Sequence, residues 1–264
     1  MGHTFSVTVA PNGARRGKAD HPALPVTTDE IARTAAKCYD AGAQAIHLHV
    51  RDEAGQHSLD AGRYREAISA IHNAAPDMAI QVTTESAGLY EVESQYDCLR
   101  QLTPDAASVS IREMARNEAI AKHLYAFCAE AQTQVQHILY NQSDISQLRS
   151  WVKQGVVPKT MRSAIFVLGQ YSPPVHGRPE DLQHFLDASI DLNLDWTICT
   201  FGPNELACAR AALQAGGNLR VGFENNLLMP DGSPARDNAE IVALTVNEGR
   251  KLGLELISDL PKAS

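Results

Sequence analysis

Short apolar runs rich in β-branched residues alternate along this chain with longer stretches whose apolar residues recur at helical spacing. Strands are predicted over 5–10, 44–50, 79–83, 106–110, 134–139, 163–168, 195–200 and 219–223. Amphipathic helices are predicted over 28–41, 61–74, 91–102, 118–132, 143–154, 179–192, 203–215 and 238–252. Capping signals open several of them, at Thr28-Asp29-Glu30, Ser143-Asp144 and Asp237-Asn238, and Gly42, Gly155, Gly216 and Gly253 sit where helices should stop. Eight strand–helix units in this length predict an α/β fold, a (β/α)8 TIM barrel, occupying residues 1–264 as one domain. The competing doubly wound sheet lacks support, because no G-x-G-x-x-G follows the first strand.

Composition narrows the class further. The 264 residues are 44% hydrophobic and 20% charged, and their net charge of −8 argues against a nucleic-acid partner. No apolar run is long enough to span a bilayer, so no membrane association is expected. The first ten residues lack the basic start and apolar core of a secretory signal. Cys38, Cys98, Cys128, Cys199 and Cys208 are scattered without a C-x-x-C, which fits reduced thiols and a cytoplasmic location.

Barrel topology directs attention to the strand ends, where active residues belong. The second strand ends in H47-L-H-V-R-D52. Residues two apart on a strand share a face, so His47 and His49 project side by side. Such a pair reads either as half of a metal site or as two buried, hydrogen-bonded histidines. The last strand reads R220-V-G-F-E-N-N226, and strand periodicity aligns Arg220, Gly222 and Glu224 on one face. In a closed barrel this strand neighbours the first, within reach of the second. Glu224 therefore reads either as a third metal ligand or as an ion-pair partner of Arg220 in the barrel centre.

The segments L-P-V-T-x-x-E-I at 24–31, A-G-A-x-x-I-H-L-H-V-R-D-x-x-G at 41–55 and G-G-x-x-R-V-G-x-E-x-N at 216–226 together resemble the β-keto acid cleavage enzymes. The T-T after the third strand, F166-V-L-G169, Trp196 and the N-A-E after Asp237 extend the likeness over nearly the whole chain. The resemblance implies a zinc-dependent barrel that forms homo-oligomers, dimers or tetramers. It also implies exchange of a β-keto acid and the co-substrate acetyl-CoA for acetoacetate and a new acyl-CoA. By resemblance, Zn2+ is held by His47, His49 and Glu224, Arg220 orients a base, and Thr83 or Thr84 helps to hold the substrate.

The sequence departs from the family pattern around the base. Where the pattern has E-D-N, this chain has E224-N225-N226, so an asparagine stands at the base position, and an amide has no accessible basic pKa. An acid of the first loop is replaced by Arg15, and the usual T-T-G-G has become T83-T-E-S86, which brings Glu85 to the mouth. The loop at 170–178 replaces a Gly-rich segment expected near CoA and is stiffened by Pro173 and Pro174. Three readings follow: cleavage with Glu85 or Asp52 as substitute base; a metal-dependent enolate or hydrolytic enzyme that does not use CoA; or a metal-binding homologue with little catalysis. Arg15, Arg51, Arg112 and Arg220 are placed near the mouth, with Arg16 a solvated loop charge. That set suits a small, anionic β-keto acid.

Overall fold

A computed structural model of the protein describes residues 4–257. Its elements run β1 (Thr4–Phe5), β2 (Val7–Val9), α1 (Thr28–Asp40), β3 (Ala45–Leu48), β4 (Val50–Arg51), β5 (His57–Ser58) and α2 (Ala61–Ala74). There follow β6 (Ala79–Thr83), α3 (Val92–Leu102), β7 (Ala106–Ser110), α4 (Ile111–Met114), α5 (Glu118–Glu130), β8 (Gln134–Leu139) and α6 (Gln142–Gln154). The chain continues through β9 (Ser163–Gln170), β10 (Val175–His176), α7 (Asp181–Ser189), β11 (Asp195–Thr200), α8 (Glu205–Gln214), β12 (Asn218–Val221), α9 (Asn238–Lys251) and β13 (Glu255–Leu256).

Eight of the strands pair in parallel in the order β9-β11-β12-β2-β3-β6-β7-β8, and β8 pairs back onto β9, which closes the barrel. The predicted (β/α)8 architecture is therefore present. The strand faces divide the interior in two ways. Outward, Val7, Val9, Ile46, Leu48 and Val82 are buried against helix residues such as Ile31, Ala35, Tyr64 and Ile71. Burial of each large aliphatic side chain there stabilises the fold by about 1.5–3 kcal/mol. Inward, the alternate positions are apolar on one side, with Ile138, Ile165, Val167 and Cys199 in a small cluster of their own. The other side is polar: Gln81 Nε2 donates to Gln136 Oε1 at 3.2 Å, and Gln136 Nε2 donates to Thr197 Oγ1 at 3.2 Å.

Several boundaries differ from the periodic reading, each for a local reason. The second barrel strand stops at Leu48, because the chain turns into a β4–β5 hairpin that alternation alone did not show. Asp52 Oδ1 accepts from the amides of Ala54 and Gln56 in that turn, with Gly55 at φ +75°. The last barrel strand ends at Val221, two residues early, because Gly222 adopts φ +128° and starts a turn. A Cβ there would lie 2.7 Å from the Ala10 carbonyl oxygen, so the position needs glycine. Thr27, with Glu30, forms the capping box of α1, one residue before the predicted cap, and Asn141 caps α6. Among the described residues, no helix is long and apolar enough to cross a membrane.

Candidate active site

The C-terminal ends of β3, β6 and β12 and the loop after β2 converge on one point. His47 Nε2 and His49 Nε2 face each other at 3.1 Å, and Glu224 Oε2 lies 3.8 Å from the first and 3.6 Å from the second. Both histidines are buried and Glu224 is nearly so. Two imidazole nitrogens so close need a proton or a cation between them. Glu224 Oε2 has no hydrogen-bond partner, although it is shielded from solvent. A triangle of this size suits one ion at about 2.0–2.2 Å from each donor, and two imidazoles with a carboxylate are the donor set of a catalytic zinc. The residues fit the metal.

Their surroundings fix the donors in ligand form. His47 Nδ1 donates to Gln81 Oε1 at 2.7 Å, which leaves the Nε2 lone pair pointing at Glu224. Burial, reinforced by Arg220, pushes the His47 pKa down to about 4, and burial with His47 pushes His49 well below its ordinary value. Both imidazoles are therefore neutral near pH 7, the form that binds metal.

Glu224 reaches this point from a turn rather than from the strand itself. Its amide donates to the Ala10 carbonyl at 3.0 Å, and the amide of the preceding Phe223 donates to Asn238 Oδ1 at 2.9 Å. Asn238 Nδ2 in turn donates to the Pro11 carbonyl at 3.1 Å, so the first residue of α9 ties both loops together. Gly13, at φ +61°, passes directly beside the carboxylate: a Cβ would lie 2.6 Å from Glu224 Cγ. Arg220 Nη2 sits 3.4 Å from Glu224 Oε1, so the ion pair and the ligand arrangement coexist on the two oxygens of one carboxylate.

Glu85 belongs to the same cluster. Its Oε2 is 4.0 Å from His49 Nε2, and its Oε1 is 3.9 Å from Arg15 Nη2. Burial, with the negative charges of Glu224 and Glu113, raises its pKa to about 7. Thr83 Oγ1 accepts the Glu85 amide at 3.0 Å, which leaves the hydroxyl proton of Thr83 available. Thr84 is differently employed: its hydroxyl donates to the Ser108 carbonyl at 2.9 Å and joins two strands. Asn225 is fully buried with neither side-chain amide atom hydrogen bonded. Arg112 lies on the aromatic face of Tyr140, 3.4 Å from the ring centroid.

Three residues sit differently from their sequence reading. Arg51 is buried beside the site, within reach of the charges of Glu85 and Glu224, but its guanidinium is taken up by the carbonyls of Gly13, Arg16 and Gly55 and braces the β2–α1 loop. Asp52 is occupied by the hairpin turn and is not among the groups at the metal triangle. Arg16 is not a free surface charge, because it donates to the Phe223 carbonyl at 2.7 Å. Sequence reasoning missed Gln81 and His57. The His57 ring lies tilted against that of His49, with centroids 5.2 Å apart, and its Nε2 bonds the Glu85 carbonyl at 2.7 Å. An isolated histidine in a two-residue strand carries no periodic signal.

The sequence profile of the beta-keto acid cleavage enzyme family matches residues 5–259. The chain belongs to that family. It is 32% identical over 259 residues to the 3-keto-5-aminohexanoate cleavage enzyme of Fusobacterium nucleatum, covering 95% of this chain and 93% of the relative. It is 28% identical to the 3-dehydrocarnitine:acetyl-CoA trimethylamine transferase of Rhizobium meliloti, covering 97% and 94%. Among solved structures, the ternary complex of ObcA with C4-CoA adduct and oxalate superposes with a TM-score of 0.67 at 16% identity, over 90% of this chain and 66% of that one. That likeness is one of fold. The family resemblance read from the 24–31, 41–55 and 216–226 segments is thereby established.

Proposed function

We propose that this member of the family cleaves a β-keto acid against acetyl-CoA, giving acetoacetate and a new acyl-CoA, with zinc held by His47, His49 and Glu224. The observation that carries the reading is the convergence of those three donors at the mouth of a β-keto acid cleavage barrel. The acetyl-CoA in the name of the Rhizobium meliloti relative, a 3-dehydrocarnitine:acetyl-CoA trimethylamine transferase, supports the co-substrate. When bound, zinc supplies a Lewis acid that polarises the keto group and makes the C2 proton easier to remove.

The chain's own residues supply the rest. Glu85 is the base that accepts the C2 proton, since it lies beside His49 with a pKa near 7, where a general base works best. Asn225 cannot take that role, because an amide offers no basic site at neutral pH. Arg220 holds Glu224 from behind and adds positive potential where the substrate carboxylate enters. The free hydroxyl proton of Thr83 is positioned to donate to that carboxylate.

The test is a panel of β-keto acids with acetyl-CoA and zinc-loaded protein, followed by the appearance of acetoacetate. Wild type is expected to contain one zinc per chain and to turn over. His47→Ala should lose the metal, and Glu85→Gln should keep it while losing about 10²–10⁴-fold in kcat. Protein that neither retains zinc nor forms acetoacetate from any substrate would sink the proposal.

A further inference from the structure

Two guanidinium groups share one aromatic ring at the edge of the cleft. The Arg15 and Arg16 guanidinium carbons lie 5.8 and 5.6 Å from the centroid of Tyr171. They are not equivalent. Arg16 is anchored through the Phe223 carbonyl, whereas Arg15, whose side chain is 45% exposed, makes no hydrogen bond among the described residues. Among the described residues its one ion-pair partner is Glu85, at a loose 3.9 Å. Arg15, Arg16, Tyr171, Glu85 and Glu224 line one open cleft. The two oxygens of Glu85 reach both sides, Oε1 lying 3.9 Å from Arg15 and Oε2 4.0 Å from His49. A free guanidinium and an anchored one, a short distance from a triangle built for a dication, leave that end of the cleft short of negative charge. Tyr171 holds the arginines in place without neutralising them.

We propose that Arg15 is the specificity residue for the end of the substrate remote from the keto acid, and that this end carries a carboxylate. The substrate class is then a short β-keto dicarboxylate. The keto-acid end lies at His47, His49 and Glu224, and the remote carboxylate lies on Arg15. This rests on the cleavage reading above and deepens it. Arg15 is the better fit to a carboxylate than Arg16, because its planar fork of donors is free to bind both oxygens. A phosphate of CoA is the other anion that could meet Arg15; Arg15 lines the same cleft as Glu85 and Glu224, which favours the substrate.

The experiment compares 3-oxoadipate and 3-oxoglutarate with 3-oxohexanoate, which ends in a methyl group, and with the ammonium-bearing 3-keto-5-aminohexanoate. In wild type, kcat/KM for acetoacetate formation is expected to favour the dicarboxylates by about tenfold or more. Arg15→Ala should lower the dicarboxylate value at least tenfold more than the 3-oxohexanoate value, mainly through KM. Arg15→Glu should shift the preference toward the ammonium-bearing substrate. Equal losses on both chains, or a rise in the KM for acetyl-CoA in place of that for the keto acid, would overturn the assignment while leaving cleavage intact. Binding read by calorimetry, on metal-free and zinc-loaded protein, decides the question independently of turnover. Dicarboxylate affinity must fall in Arg15→Ala, and unchanged affinity overturns the proposal even if no acetoacetate is ever formed.

Discussion

Nδ1 of His47 lies 2.7 Å from Oε1 of Gln81, and the other end of that amide donates to Gln136. The relay sets the amide orientation, the amide sets the imidazole tautomer, and the tautomer aims the Nε2 lone pair at Glu224. Gln81→Leu keeps the volume but removes the acceptor. Zinc affinity, measured by competition with a chromogenic chelator, is expected to fall about 10–100-fold. Affinity equal to wild type would show that packing alone orients the ring.

Gly13 offers a sharper probe of how tightly Glu224 is held. A methyl group there would meet Glu224 Cγ at 2.6 Å, on a backbone at φ +61° that alanine adopts with strain. Gly13→Ala is expected to cost about 1–3 kcal/mol in urea unfolding and to weaken zinc retention on dialysis. Loss of stability with metal binding intact would mean that the carboxylate can step aside.

Away from the metal triangle, His137 makes a pH prediction. It is fully buried on β8, with Nε2 on the Met161 carbonyl at 3.0 Å and Nδ1 at 3.2 Å from the Tyr125 hydroxyl. Burial holds its pKa at about 4, against about 6.5 in the unfolded chain. Between those values the unfolded chain takes up a proton that the folded one refuses. The stability is complete above pH 6.5 and is lost as pH falls toward 4, by about 3 kcal/mol from this residue. Urea titrations of His137→Gln at pH 7, 6 and 5 should show a slope shallower by about one proton, and an unchanged slope would refute this.

Asn225→Asp addresses the missing base. In a Glu85→Gln background the new carboxylate is expected to restore kcat at least tenfold, because position 225 then offers an accessible basic group. The same change should lower stability by about 1–3 kcal/mol, since the buried amide it replaces already lacks hydrogen bonds. No recovery would show that position 225 does not face C2.

The barrel was legible in the sequence because short runs rich in apolar and β-branched residues alternate with stretches of helical period. The boundaries of 79–83, 106–110, 134–139 and 195–200 coincide with β6, β7, β8 and β11. The clustering of His47 and His49 was legible through strand periodicity. Glu224 was found by the same rule for an incomplete reason, since the strand ends at Val221 and a Gly222 turn delivers the carboxylate. What stayed hidden depends on long-range geometry. Nothing local marks Gln81 as the partner of His47 or His57 as the support of the Glu85 backbone. The true targets of Arg51 are carbonyl oxygens, which have no sequence signature.

Those carbonyls carry a consequence for how the protein can change. Arg51 grips the β2–α1 loop through main-chain oxygens of Gly13 and Arg16, which every amino acid presents alike. The loop's path is thus set independently of the side chain displayed at position 15. Residue 15 can pass from acid to base or to an apolar group without loosening the segment that carries it. Replacements at position 15 therefore change what the cleft presents while the cluster of His47, His49 and Glu224 keeps its shape.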